Sequence, residues 1–224
     1  MKQEQLKEML HADTLGEEIA SAVTHGTLGV IFSIIALVLL VMSATESGST
    51  WNVTAVSVFG ASMILLYLFS TLMHAIPHPR AKRVLQVFDH AGIYLLIAGS
   101  YTPFALVTLH GTLGWTLFGI VWGVAILGIV WKLFSTGKYM WVSNVTYLAL
   151  GWICIIAIRP LYESLGHQGF MLLLAGGIAY SVGIVFYVWQ KLPFNHAIWH
   201  LFVLAGSVFI FLSILLYVAP STSI

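Results

Sequence analysis

The sequence predicts an all-α fold: a bundle of seven transmembrane helices with the N-terminus cytoplasmic and the C-terminus outside. Three observations lead there. Of 224 residues, 59% are hydrophobic and 8% are charged, against roughly 25% charged in a soluble domain. Apolar runs bounded by turn residues recur seven times, and a helix needs about 20 apolar residues to cross a bilayer. The basic residues are also lopsided. With the N-terminus inside, Lys2, Lys7, Arg80, Lys82, Arg83, Lys132, Lys138 and Lys191 fall on the inner side and Arg159 alone on the outer, the bias that orients membrane proteins. The same composition excludes a soluble globule and a nucleic-acid binder, since 9 Lys and Arg face 8 Asp and Glu and no basic excess is left to neutralise phosphates. One cysteine, Cys154, rules out an internal disulfide.

The first span is expected from Thr24 to Met42, stopping at the polar stretch 43–52. It follows a segment containing Glu4, Glu8, Asp13, Glu17 and Glu18 rather than a basic one, so it does not read as a cleavable signal peptide. The second runs from Val53 to Ile76 and ends at Pro77-His78-Pro79-Arg80. The third runs from Val84 to Leu109 with a kink expected at Pro103, and the fourth from Leu113 to Trp131. The fifth, from Trp141 to Ile158, is expected to stop at Arg159-Pro160; the sixth covers Gly169 to Trp189. The seventh starts at Asn195, read as an N-cap, and ends before Pro220. Residues 1–23 then form a cytoplasmic segment, 24–219 the seven-transmembrane domain and 220–224 a short external tail. Gly119 and Gly123, and Gly176, Gly177 and Gly183, are expected to bring helices close together. Trp51, Trp115, Trp131, Trp141 and Tyr217 read as interfacial anchors.

Ionisable residues inside a span are expensive and point to function. Asp89 is the single acidic residue placed within a span, and His74, His196 and His200 join it. In the expected orientation His74 lies late in an inward-running helix. Asp89, His196 and His200 lie early in outward-running ones, so all four fall within about two turns of the inner boundary. His196 and His200 are four residues apart and project from one helical face; Ser70 and His74 repeat that spacing. Three histidines suit Zn²⁺ with an open fourth position. Asp89 would either ligate the metal directly or hold and deprotonate its water. His25 and His90 are expected in supporting roles.

These residues resemble the haemolysin-III branch of the progestin and adipoQ receptor family. The resemblance covers nearly the whole chain. It is carried by Glu17-Glu18 with Thr24-His25-Gly26, by Ser70-Thr71-Leu72-Met73-His74-Ala75, by Phe88-Asp89-His90 with Tyr101-Thr102-Pro103, and by Asn195-His196-Ala197-Ile198-Trp199-His200. Ser21 stands where many bacterial relatives carry Asn. The resemblance implies seven helices with the N-terminus inside and a Zn²⁺ ion near the inner leaflet. It implies His74, His196 and His200 as metal ligands, with Asp89 and Ser70 holding the metal's water as catalytic residues. The same pattern is shared with alkaline ceramidases in a wider superfamily.

Three functions fit this reading. The first is a zinc-dependent hydrolase of the cell membrane acting on a lipid amide or ester, with Asp89 as general base and Ser70 as an orienting donor. The second is a non-catalytic sensor or regulator of membrane state in which zinc is a structural clasp, a reading that gains if Asp89 ligates directly. The third is a cytolysin, which the spans disfavour because they are almost wholly apolar and their polar residues share one layer. A retinal protein would need a lysine in the seventh span, which has none. A G-protein-coupled receptor would have its N-terminus outside.

Overall fold

The computed structural model describes residues 14–136 and 138–220. Lys2 and Lys7 of the charge count, most of the expected cytoplasmic segment and tail residues 221–224 lie outside the described residues. Among the described residues the chain is helical, with no strand.

Among the described residues the first helix begins at Leu15, upstream of Thr24, where the first span was expected. Thr14 caps α1 (Leu15–Val23): its hydroxyl accepts the Glu17 N–H, and the Glu17 carboxylate accepts the Thr14 N–H at 2.8 Å, a reciprocal capping box. A search for apolar runs passes over this turn because it carries Glu17 and Glu18. A π-helical turn, Thr24–Val30, joins α1 to α2 (Ile31–Glu46). Such widened turns are uncommon and often sit at functional sites.

α3 (Thr50–Ala75) starts on the Ser49 side chain, which accepts the Asn52 N–H. α4 (Pro79–Pro103) has Pro79 at its first position, so part of the expected stop Pro77-His78-Pro79-Arg80 is the opening of the next helix. At Pro103 the α-helix gives way to a second π-helical segment, Phe104–Leu109, at the expected break. α5 (Gly111–Ser135) and α6 (Met140–Gly151) follow. A 3₁₀ turn at Ile153–Ala157 then leads into α7 (Ile158–Val188) and α8 (Asn195–Tyr217).

Six helical stretches among the described residues are long and apolar enough to cross a membrane, where seven spans were expected. The difference lies in Met140–Val188, which runs as one helical stretch of 49 residues. The expected stop at Arg159-Pro160 falls where the 3₁₀ turn Ile153–Ala157 gives way to α7. Pro160 lies in the first turn of α7, where its missing N–H removes no helical hydrogen bond, so the helical path continues. A further break falls at Gly166, whose φ of 67° and ψ of 176° are not helical.

Asn195 is not the N-cap of α8. That position is held by Phe194 in the left-handed region (φ 58°). The Asn195 amide instead donates to the carbonyls of Phe186 and Tyr187 at 3.3 and 3.1 Å. It joins the Trp189 N–H on the Phe186 carbonyl, adds a donor to that of Tyr187 at the end of α7, and so fastens α7 to α8.

The helices pack in chain order, α2 on α3, α3 on α4 and α4 on α5, while α7 pairs with α8. The first π-helical turn lies against α8 and closes the ring. Gly29 lets α3 approach, since a Cβ there would land on the Tyr67 ring. Gly176 and Gly183 likewise face Ile210 and Phe202. Gly119 and Gly123 do not pack as expected: a Cβ at either would meet nothing, so this pair faces outward. Large apolar side chains such as Leu127, Phe134, Ile156 and Val185 are exposed on the outside of the bundle, the surface a bilayer covers.

Candidate metal centre

His74 comes from the last turn of α3, and His196 and His200 from the first two turns of α8. Each offers a ring nitrogen, and these atoms lie within 4.8 Å of one another. The ring centroids form a near-equilateral triangle: His74 to His196 4.9 Å, His74 to His200 5.2 Å, His196 to His200 4.6 Å. The three histidines picked out in the sequence therefore do meet, and together they can hold a metal ion.

The partners of the other ring nitrogens fix the tautomers. His74 Nδ1 is 2.7 Å from Glu18 Oε2, and the Glu18 carboxylate also accepts from Lys82. A carboxylate paired with lysine only accepts, so His74 Nδ1 carries the proton and its Nε2 carries a lone pair. His200 Nδ1 faces the Ser21 carbonyl at 3.2 Å and Thr24 Oγ1 at 3.1 Å. The Thr24 hydroxyl itself donates toward Ala20 and Ser21 carbonyls, so His200 Nδ1 is the donor and its Nε2 is likewise basic. Both Nε2 atoms are buried with no hydrogen-bond partner among the described residues. Buried polar atoms normally have partners, and lone pairs converging in an apolar interior call for a cation. The donor set and its orphaned nitrogens fit a metal.

Asp89 is buried, and its Oδ1 has no hydrogen-bond partner among the described residues. It is not part of the group whose ligand atoms fall within 4.8 Å. Asp89 and His196 instead line an internal cavity of about 160 Å³ between α4, α6, α7 and α8. Along α4 the lining extends from Asp89 to beyond Tyr101, about 20 Å of helix. Most of the wall is apolar, including Ile93, Ile97, Leu173 and Ile210.

The Ser70 hydroxyl is 2.7 Å from His25 Nδ1, and the His25 ring stacks on His200 with centroids 3.4 Å apart. His90 Nδ1 donates to the Gln86 carbonyl at 2.7 Å, and His90 lines the same cavity as Asp89.

Two features escaped the sequence. Glu18 was visible as part of a motif, but only its placement beside His74 gives it a role. Lys132, counted as an inner-face charge, is fully buried. Its ammonium lies 3.9 Å from Met140 Sδ and close enough to Asp89 for the two charges to attract. The basic residues of its own helix, Arg80, Lys82 and Arg83, stand in the first two turns of α4, and a buried cation comes to Asp89 from α5.

The fold and cluster together define a multi-pass helical membrane protein with a buried three-histidine centre. The sequence profile of the family described as Haemolysin-III related matches residues 14–211. Hemolysin-3 of Bacillus cereus is 55% identical over 92% of this chain and 94% of that protein. The Hemolysin-3 homolog of Bacillus subtilis (strain 168) is 53% identical over 91% and 95%. The human Monocyte to macrophage differentiation factor is 28% identical over 85% and 79%. This chain belongs to the haemolysin-III family, the branch of the progestin and adipoQ receptors anticipated from its motifs.

If Lys132 is the counter-charge of Asp89, Lys132→Met should destabilise the metal-free protein by about 3 kcal/mol, because it strands a buried carboxylate. Adding Asp89→Asn should recover part of that loss. Unfolding of the full chain in detergent should give a coupling of about 1–3 kcal/mol in the double-mutant cycle. Additivity within about 0.5 kcal/mol would show the two charges to be independent.

Proposed function

We propose that this chain is a zinc-dependent hydrolase of a membrane lipid amide or ester. The observation that carries the reading is the donor count: three histidines converge, and Asp89 stands outside the group, next to an apolar cavity. Structural zinc sites close with four protein ligands, whereas catalytic ones use three and keep a position open. Neutral imidazoles favour zinc over harder ions.

His74, His196 and His200 would hold the ion. When bound, Zn²⁺ lowers the pKa of water toward about 7 and polarises a carbonyl oxygen. Asp89 accepts a proton from the water that attacks the carbonyl and returns it to the departing amine or alcohol. Lys132 brings a buried positive charge to this side of the cavity. Ser70 acts through His25, keeping its ring stacked on His200, rather than on the reacting atoms. The cavity takes the alkyl chain of the lipid, leaving the scissile bond beside Asp89 and His196.

The same proposal includes topology. A straight helix of 49 residues would be about 73 Å long, more than twice the ~30 Å hydrocarbon core. Breaks at Ile153–Ala157 and Gly166 support two crossings in Met140–Val188, and so seven in all. The charge distribution then puts the N-terminus in the cytoplasm, the C-terminus outside and the metal centre in the inner leaflet of the cell membrane. A periplasm-active reporter fused after Ile224 should be active and one after Arg83 silent. The reverse pattern would overturn the orientation.

Purified protein should contain about one zinc per chain, and His196→Ala and His200→Ala should lose it. Asp89→Asn should keep the metal and reduce turnover of a lipid amide or ester by about 10²–10⁴-fold, the usual contribution of a general base. Turnover unchanged in Asp89→Asn would refute its catalytic role. Full metal retention in the double histidine variant would refute the site.

A further inference from the structure

We infer that α1 is the element that orients the metal centre, with Glu18 as the positioning residue for His74. The inference rests on the three-histidine reading above and extends it to residues that touch no ligand position. About two turns of chain, Glu17 to Thr24, reach both helices that carry the histidines. Glu18 Oε2 accepts from His74 Nδ1 at 2.7 Å. The Ser21 carbonyl and Thr24 hydroxyl accept from His200 Nδ1. Glu17 Oε1 accepts the backbone N–H of Phe194 at 3.0 Å, and Phe194 holds the left-handed cap from which α8 and its histidines start.

Two adjacent carboxylates thus serve two different helices. Glu17 is already held by its capping box with Thr14, so its second oxygen is fixed in space when it meets Phe194. Glu18 is held on its far side by Lys82 from the first turn of α4, so the carboxylate bridges a lysine and an imidazole. The chain runs Lys82, Glu18, His74, and it presents Nε2 of His74 to the cluster. A carboxylate on the remote nitrogen of a ligating histidine fixes the ring and raises its basicity, and losing such a partner typically weakens metal binding 10–100-fold.

The π-helical turn Thr24–Val30 begins at two residues that both address the ring of His200, Thr24 at its Nδ1 and His25 across its face.

The test uses the full chain in detergent, with Glu18→Ala, Glu18→Gln and Lys82→Met compared with wild type. Zinc affinity is measured by chelator competition, and the protonation of His74 Nδ1 by ¹⁵N imidazole resonances of the metal-free protein. Glu18→Ala should weaken zinc 10–100-fold and shift the His74 Nδ1 signal. Glu18→Gln preserves size and an acceptor oxygen and should weaken zinc by less. Lys82→Met spares the contact to His74 and should change affinity by about fivefold or less. Unchanged affinity and an unchanged His74 signal in Glu18→Gln, and in Glu18→Ala where it folds, would overturn the inference. A wild type that takes up no zinc, but whose His74 signal still depends on Glu18, would sink the metal reading and leave the positioning role standing.

Discussion

A histidine ring has two nitrogens, and a bilayer interior offers no water to satisfy either. This constraint organises one end of the bundle. His74 and His200 each spend Nδ1 on a fixed protein acceptor, which leaves the Nε2 lone pairs facing a shared point. Three imidazoles in that arrangement are unfavourable without a cation and favourable with one. The packing around them follows from the need to bring α3 and α8, distant in sequence, against the same N-terminal turn. The closure of the ring by the first π-helical turn against α8 is the same requirement seen at the level of whole helices.

Asp89 belongs to a second set of constraints. It sits apart from the histidine group, beside a cavity whose walls are largely apolar. A carboxylate in such a place is tolerated when opposite charge is near, and Lys132 from α5 supplies it. The site thus has two parts, a histidine cluster built from α3 and α8 and a buried carboxylate and lysine from α4 and α5. Asp89 and His196 both line the cavity. In the proposed hydrolase this division would give a reacting lipid a place for its chain and a place for its scissile bond.

Much of this was legible in the sequence, and the misses have physical causes. The histidine cluster could be read because helical spacing and depth are local properties: His196 and His200 share a face whatever the tertiary fold. Helix starts were misjudged where proline was read only as a stop: α4 opens at Pro79 rather than Val84 and α7 at Ile158 rather than Gly169, because a first turn tolerates the absent N–H of Pro79 and Pro160. Asn195 has the right chemistry for a cap but serves the preceding helix, a choice made by the turn geometry at Phe194. Lys132 looked like a topology signal because burial of a lysine depends on which helix lies opposite. Glu18 could be noticed as part of a motif, but its partner is 56 positions away. The outward-facing Gly119 and Gly123 show the same limit from the other side: a spacing that permits close approach does not decide whether a neighbour is there.

The central claim is that the three histidines form an open zinc centre. X-ray absorption at the zinc edge of the loaded wild-type protein tests it most directly. The account predicts three imidazole nitrogens at about 2.0–2.1 Å, a fourth position that a small anion can occupy, and a spectrum insensitive to Asp89→Asn in the first coordination sphere. Four protein ligands, with the Asp89 carboxylate at about 2.0–2.2 Å and no response to added anion, would contradict it and make the zinc a structural clasp.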